Sequence, residues 1–201
     1  MTISRRFIPL ILLFGLAGCG RKLPTDPDSA FKGLIDQNGN PVDTTDHKIH
    51  IFLGFAGFGT CPAVCPLMAS RLKKIVAEIQ RLCPELANKI IKFMVTINPV
   101  TDTPDALLAR KHLSGITAMT GQVGDIKATL DKINAFYTSP ELGDSELMHE
   151  EVFRIVDSTG KALCAPIRSS LPVDQIARYI ITGLGYAIQE PQAAPSPPGA
   201  D

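Results

Sequence analysis

Two kinds of apolar pattern organise the chain. Ile49-His50-Ile51-Phe52-Leu53-Gly54-Phe55 and Ile90-Ile91-Lys92-Phe93-Met94-Val95-Thr96-Ile97 are apolar at nearly successive positions, which predicts strands buried on both faces. Between them Met68, Leu72, Ile75, Val76, Ile79 and Leu82 recur at helical spacing, with Arg71, Lys73, Lys74, Glu78 and Arg81 on the other faces. That predicts an amphipathic helix of about four turns, ended by Cys83-Pro84. Upstream, residues 31–42 read as a small hairpin turning at Asn38-Gly39. Downstream, Thr103 caps a helix to about His112, with Pro104 in its first turn. Val123, Ile126, Leu130, Ile133 and Tyr137 stripe another helix, and residues 138–148 read as a polar loop. Val152–Val156 and Lys161–Cys164 form a hairpin around Asp157-Ser158-Thr159-Gly160, and Val173, Ile176, Ala177, Ile180 and Leu184 mark a last helix.

The order is strand–helix–strand–helix–helix–hairpin–helix. Early alternation implies a parallel pair, and the closing hairpin implies antiparallel edge strands. The expected fold class is α/β: a four-stranded, thioredoxin-like mixed sheet with helices on both faces and an N-terminal β-hairpin extension.

The stretch Thr60-Cys61-Pro62-Ala63-Val64-Cys65-Pro66 lies where the first main strand hands over to the first long helix. Side chains at i and i+4 share a helix face, so the two sulfurs can converge. A helix N-terminus offers unpaired N–H groups and partial positive charge, which favour the thiolate that binds soft metals or attacks disulfides. The same spacing allows a reversible Cys61–Cys65 disulfide. A purely structural pair of buried cysteines is the bland alternative.

Composition narrows the field. The chain has 201 residues, 45% hydrophobic, enough for one domain with a core plus tails. Twenty basic residues balance twenty acidic ones, which gives no electrostatic case for nucleic acid. Five cysteines, at 19, 61, 65, 83 and 164, are too few for a disulfide scaffold. Cys83 and Cys164 stand in no motif and read as small buried fillers, with a mutual disulfide open in an oxidising compartment. His50 reads as packed or half-exposed, His47 as a solvated loop residue and His112 as a helix-surface residue.

The N-terminus reads as a targeting segment. Arg5 and Arg6 precede the apolar run Phe7–Leu16, and Leu16-Ala17-Gly18-Cys19 resembles a bacterial lipoprotein cleavage box. The resemblance implies cleavage before Cys19, lipidation of Cys19, and a domain held at the bacterial cell envelope facing the periplasm. The implied organisation is a signal peptide over residues 1–18, a tether over 19–30, one domain over 31–188 and a disordered tail over 189–201.

Three further segments carry a resemblance covering about residues 31 to 186. Phe55–Pro66 is similar to the metal-binding segment of the Sco/SenC family. Thr96-Ile97-Asn98-Pro99-Val100-Thr101-Asp102-Thr103-Pro104 is similar to its second segment. His149, followed by Phe153–Gly160, is similar to its third. Members of that family are membrane-tethered, thioredoxin-like proteins that bind copper through two cysteines and a histidine. They assist assembly of the cytochrome c oxidase copper site, and some reduce disulfides on that pathway. The resemblance therefore implies Cys61, Cys65 and His149 as ligands of Cu(I) or Cu(II). It implies the oxidase copper subunit, or another copper or thiol client, as partner. The sequence departs from the family where Asn98 and Met148 replace frequent aspartates.

Two thiolates and an imidazole suit copper, whereas zinc favours a fourth protein ligand in a closed site. The primary expectation is a metallochaperone that is not a turnover enzyme. The alternative is a thiol–disulfide oxidoreductase using Cys61 and Cys65. A peroxide-reducing relative ranks last, because no arginine lies within the cysteine motif to activate a thiolate.

Overall fold

The computed structural model describes residues 29–42, 50–140 and 146–189. The proposed signal peptide, Cys19, most of the tether, His47 and nearly all of the tail lie outside the described residues.

The described strands are β1 (Ile35–Asp36), β2 (Ile51–Gly57), β3 (Ile90–Thr96), β4 (Thr117–Thr120), β5 (Tyr137–Thr138), β6 (Met148–His149), β7 (Val152–Val156) and β8 (Ile167–Arg168). The helices are α1 (Val64–Leu82), α2 (Pro84–Ala87), α3 (Pro104–Leu108), α4 (Val123–Lys132) and α5 (Val173–Gly183), with a 3-10 turn at Lys111–Leu113. The main sheet runs β1-β4-β3-β2-β7-β8. β2 is parallel to β3, and β3 to β4, while β1, β7 and β8 join antiparallel.

Alternation along β2 builds two cores. Ile51, Leu53 and Phe55 pack with Met68, Leu72, Ile75 and Ile79 of α1 and with Ile176 and Ile180 of α5. Phe52 and Ala56 pack on the other face with Phe31, Phe93, Ile126 and Leu130. Helices therefore cover both faces, as a parallel sheet requires. Gly54 is needed where β2 meets β3: a Cβ there would lie 1.9 Å from the Phe93 carbonyl oxygen.

The fold is the expected thioredoxin-like α/β arrangement, with three corrections. The sheet has six strands, because β4 and the short β1 join it. Thr117-Ala118-Met119-Thr120 lacks a branched aliphatic run, and its burial comes from packing against neighbours that the local sequence does not reveal. The partner of β7 is β8 at Ile167–Arg168. Residues 161–164 contribute only the Val156–Ala162 bridge, and Cys164 is not in a strand. The helices near 103–112 and 123–137 are shorter than their apolar stripes. Thr103 does cap α3 by accepting the Ala106 N–H at 3.3 Å, but α3 stops at Leu108. A separate 3-10 turn then buries Leu113. Helix α4 ends at Lys132, Asn134 just beyond it turns the chain at φ 53°, and Tyr137 leaves to form β5.

The N-terminal hairpin turns at Gly39 (φ 79°), with Asp36 Oδ1 accepting the N–H groups of Asn38 and Asn40. Ser29 and Ala30 are already buried, and the Ala30 N–H donates to the Ser158 carbonyl at 3.0 Å. Among the described residues no helix is long and apolar enough to cross a membrane.

Candidate metal centre

Cys61 and Cys65 sit at the C-terminal end of β2. The strand is buried along its whole length, so it fixes where the following loop starts. The Cys61 N–H donates to the Phe58 carbonyl at 3.2 Å, closing a turn that brings the first thiol over the start of α1. Ala63 occupies the cap position of α1 and supplies no side-chain acceptor, and the first turn holds no acidic residue. The Cys61 sulfur fills that role, accepting the Cys65 N–H at 3.3 Å.

The two thiols differ sharply. Burial works against ionisation of Cys61, but the N–H groups of Cys65, Ala63 and Val64 and the Cys65 thiol outweigh it. The pKa of Cys61 falls below its ordinary value. Cys65 is fully buried, and burial pushes its pKa up to about 12. A backbone contact at Phe58 opposes that rise, while the charges of Cys61 and Asp102 add to it. The expected helix-terminus effect therefore acts on Cys61 and is overridden at Cys65. Gly57 admits the buried sulfur: a Cβ there would lie 3.0 Å from Cys65 Sγ.

His149 arrives on a separate ribbon. β5 and β6 pair antiparallel, with Tyr137 opposite His149 and Thr138 opposite Met148. The expected polar loop is thus partly a two-stranded sheet. His149 Nε2 lies 3.3 Å from Cys65 Sγ, across 84 residues of sequence. Its Nδ1 lies 3.0 Å from the Glu150 carbonyl oxygen, which assigns the proton to Nδ1 and leaves the Nε2 lone pair facing the sulfur. The Phe58 ring meets the imidazole edge to face at 5.8 Å. The ligand atoms of Cys61, Cys65 and His149 all lie within 4.8 Å of one another. Two soft sulfurs and one imidazole nitrogen make a donor set that fits copper.

Sequence reasoning passed over two charged residues here. Asp102 is 1% exposed, and its Oδ2 accepts the Gly59 N–H at 2.8 Å and the Thr96 hydroxyl at 2.6 Å. It pins the loop before Cys61 to the end of β3. Its position between a buried strand and a capped helix was the available signal. Arg154 is 4% exposed inside an otherwise apolar strand, and a charge in such a place requires partners. At the departure positions, the Asn98 N–H donates to Thr96 Oγ1 at 2.9 Å, and Met148 is 48% exposed.

The remaining cysteines, Cys83 and Cys164, are free thiols, the first buried and the second half-buried. His112 is half-buried, not surface-exposed, and its Nε2 is buried without a hydrogen-bond partner among the described residues. Burial pushes its pKa down, as do the nearby Arg110 and Lys73 charges.

Comparison with known proteins agrees with this arrangement. A SCO2-like protein of Rickettsia felis is 32% identical over 141 residues, covering 65% of this chain and 64% of that protein. The chain thus spans about 64% of the length of that curated relative. The structure of Bradyrhizobium japonicum ScoI with copper bound has TM-score 0.57 at 22% identity, covering 75% of this chain and 96% of that one. BsSco, described with a disulfide switch as a member of the Sco family of cytochrome c oxidase assembly proteins, has TM-score 0.58 at 18% identity, covering 80% and 97%. At those identities the likeness is one of fold. The SCO1/SenC family model matches residues 22–182, which takes in the dithiol, the Asp102 segment and His149, and the chain belongs to that family.

Proposed function

We propose that this chain is a copper-binding assembly protein that serves the copper site of cytochrome c oxidase, with copper as its cargo. The observation that carries the reading is the convergence of Cys61, Cys65 and His149 from two distant segments within 4.8 Å. Copper in the B. japonicum ScoI structure and the description of BsSco support it. Cys61 is the thiol readiest to ionise, and it stands at the helix terminus to bind first. Cys65 gives up its proton as it binds, and His149 adds a neutral nitrogen. The dithiol can also be oxidised to a disulfide, which removes both sulfur ligands and couples release to redox state.

The decisive measurement is copper content of reduced wild type beside a His149→Ala variant. The variant is expected to lose most copper while keeping a normal Cys61–Cys65 redox couple. Equal loading would remove His149 from the site.

The inequality of the two thiols favours a second reading, a thiol–disulfide oxidoreductase. The Cys61 thiolate would attack a client disulfide, forming a mixed disulfide and expelling a client thiolate. Cys65, losing its proton, would then displace the second client sulfur and close the Cys61–Cys65 bond. Two electrons pass to the client, whose thiolates take up protons. Full client reduction by a copper-free His149→Ala variant would favour this reading.

We further propose residues 1–18 as a cleaved lipoprotein signal, Cys19 as the lipidated first residue, and 19–30 as the tether of a domain over 31–188 facing the periplasm. Residues 189–201 then form a tail outside the domain. The support is the ordered Arg5-Arg6 pair, apolar run and Leu-Ala-Gly-Cys box.

A further inference from the structure

Arg154 lies in the middle of β7, opposite Gly54 of β2, where the strand is otherwise apolar. A guanidinium that is 5% exposed is costly unless its donors are matched, and apolar residues of similar volume often stabilise a core better. Its Nη1 finds no partner among the described residues, so the site is not arranged for stability alone. What distinguishes Arg154 is where its other donors go.

Nε donates to the Ile133 carbonyl at 3.0 Å and the Asn134 carbonyl at 3.1 Å, and Nη2 also reaches Asn134. Those carbonyls follow the last turn of α4 and begin the first leg of the ribbon. Nη2 also pairs with Glu150 Oε1, on the second leg. Glu150 Oε1 accepts the Phe136 N–H at 2.7 Å, joining the second leg back to the first. The backbone carbonyl of the same Glu150 faces His149 Nδ1. The side chain preceding the histidine, Met148, offers no carboxylate for that task.

We propose that Arg154 is a positioning residue for His149. By gripping both legs of the β5–β6 ribbon, and Glu150 in particular, it holds the imidazole as the Nδ1–H tautomer with Nε2 turned toward Cys65. The grip comes from a strand paired directly with β2, which also delivers the dithiol, so one rigid element sets both halves of the centre. This rests on the reading of His149 as a copper ligand. The chemistry is that of a hydrogen-bonded shell fixing ligand orientation, whose loss typically lowers metal affinity about 10–100-fold.

The test uses the full chain carrying Glu150→Leu with Arg154→Met, which replaces the ion pair by apolar groups and leaves no buried charge unpaired. Nitrogen-15 resonances of His149 in the metal-free protein report tautomer and ring order, and competition with a chromophoric chelator reports Cu(I) affinity. Wild type should show an ordered Nδ1–H ring. The double variant should show mixed tautomers and affinity lowered about 10–100-fold. The single variant Glu150→Gln, which keeps an oxygen for Phe136 and Arg154, should keep the wild-type tautomer. If the folded double variant keeps the wild-type tautomer and ring order, the proposal is overturned whatever the affinity does. A changed ring with unchanged copper affinity supports the positioning role and instead removes His149 from the metal. Should the double variant not fold, Arg154→Lys takes its place, since an ammonium pairs with Glu150 but lacks the fork that spans the carbonyls.

Discussion

The Cys65 amide donates to the Cys61 sulfur at 3.3 Å, so the helix that carries one cysteine is capped by the other. The contact makes the pair unequal. Cys61 receives the unpaired N–H groups of the helix start, while Cys65, the second residue of that helix, is shut away from water.

Thiol reactivity should follow that inequality. With iodoacetamide near neutral pH, Cys61 is expected to alkylate first, with Cys65 lagging by at least about tenfold, because only thiolate reacts. Raising pH should saturate the Cys61 rate at its lowered pKa, while the Cys65 rate keeps climbing toward about 12. Peptide mapping at timed quenches checks this, and equal rates at both sulfurs contradict it.

The parts of the molecule legible in sequence are those whose burial is written locally. β2 is apolar at nearly every position, and α1 carries a complete stripe from Met68 to Leu82. Both were readable, and so was the dithiol between them. β4 was not, because Thr117–Thr120 owes its burial to β3 and β1 beside it. Cys65 was misjudged for a related reason. A helix-start position is local information, whereas the burial that raises its pKa comes from the whole fold. His149 became visible only through resemblance, since periodicity does not join residues 84 apart. The role of Arg154 is not legible locally either, because the groups that match its charge, the Ile133 and Asn134 carbonyls and Glu150, are brought to it only by the fold.

Asp102 offers a stability prediction. Replacing it by Ala strands the Gly59 N–H and the Thr96 hydroxyl in a buried site. The expected cost is about 1–3 kcal/mol for each group left without a partner, read from chemical denaturation. Removing the carboxylate also removes a charge that raises the Cys65 pKa. Asp102→Asn, which keeps one acceptor oxygen, should therefore be the milder change in stability and should speed Cys65 alkylation at fixed pH. A Cys65 rate unchanged in folded Asp102→Asn protein would mean the charge does not reach the sulfur.

For the N-terminus, Cys19→Ala should abolish lipid labelling and leave the precursor uncleaved. Mass spectrometry of detergent-extracted wild type should find a lipidated Cys19 as first residue. Recovery of mature protein that retains residues 1–18 would refute the lipoprotein reading.

Copper binding should itself depend on pH, with a slope set by the two thiols. Cys65 remains protonated up to about pH 12, so throughout the neutral range its proton must leave as the ion binds. Cys61, lowered from 9.0, adds a second proton only below its own pKa. Cu(I) affinity should rise about tenfold per pH unit above the Cys61 pKa and more steeply below it. The metal-free protein should show the linked effects on stability. Cys65 has a folded pKa above its ordinary 9.0, so its contribution is complete below about pH 9 and fades as pH climbs toward 12. Cys61 has the opposite shift, so its contribution is present above pH 9 and is lost as pH falls through its lowered value. Competition titrations across pH 6–9, with proton release followed in weakly buffered solution, measure the binding slope directly. A Cys65→Ser variant should lose the one-proton release above the Cys61 pKa together with most of its affinity. Copper binding in wild type that is flat across this range would mean that Cys65 does not ionise on binding and is not a thiolate ligand.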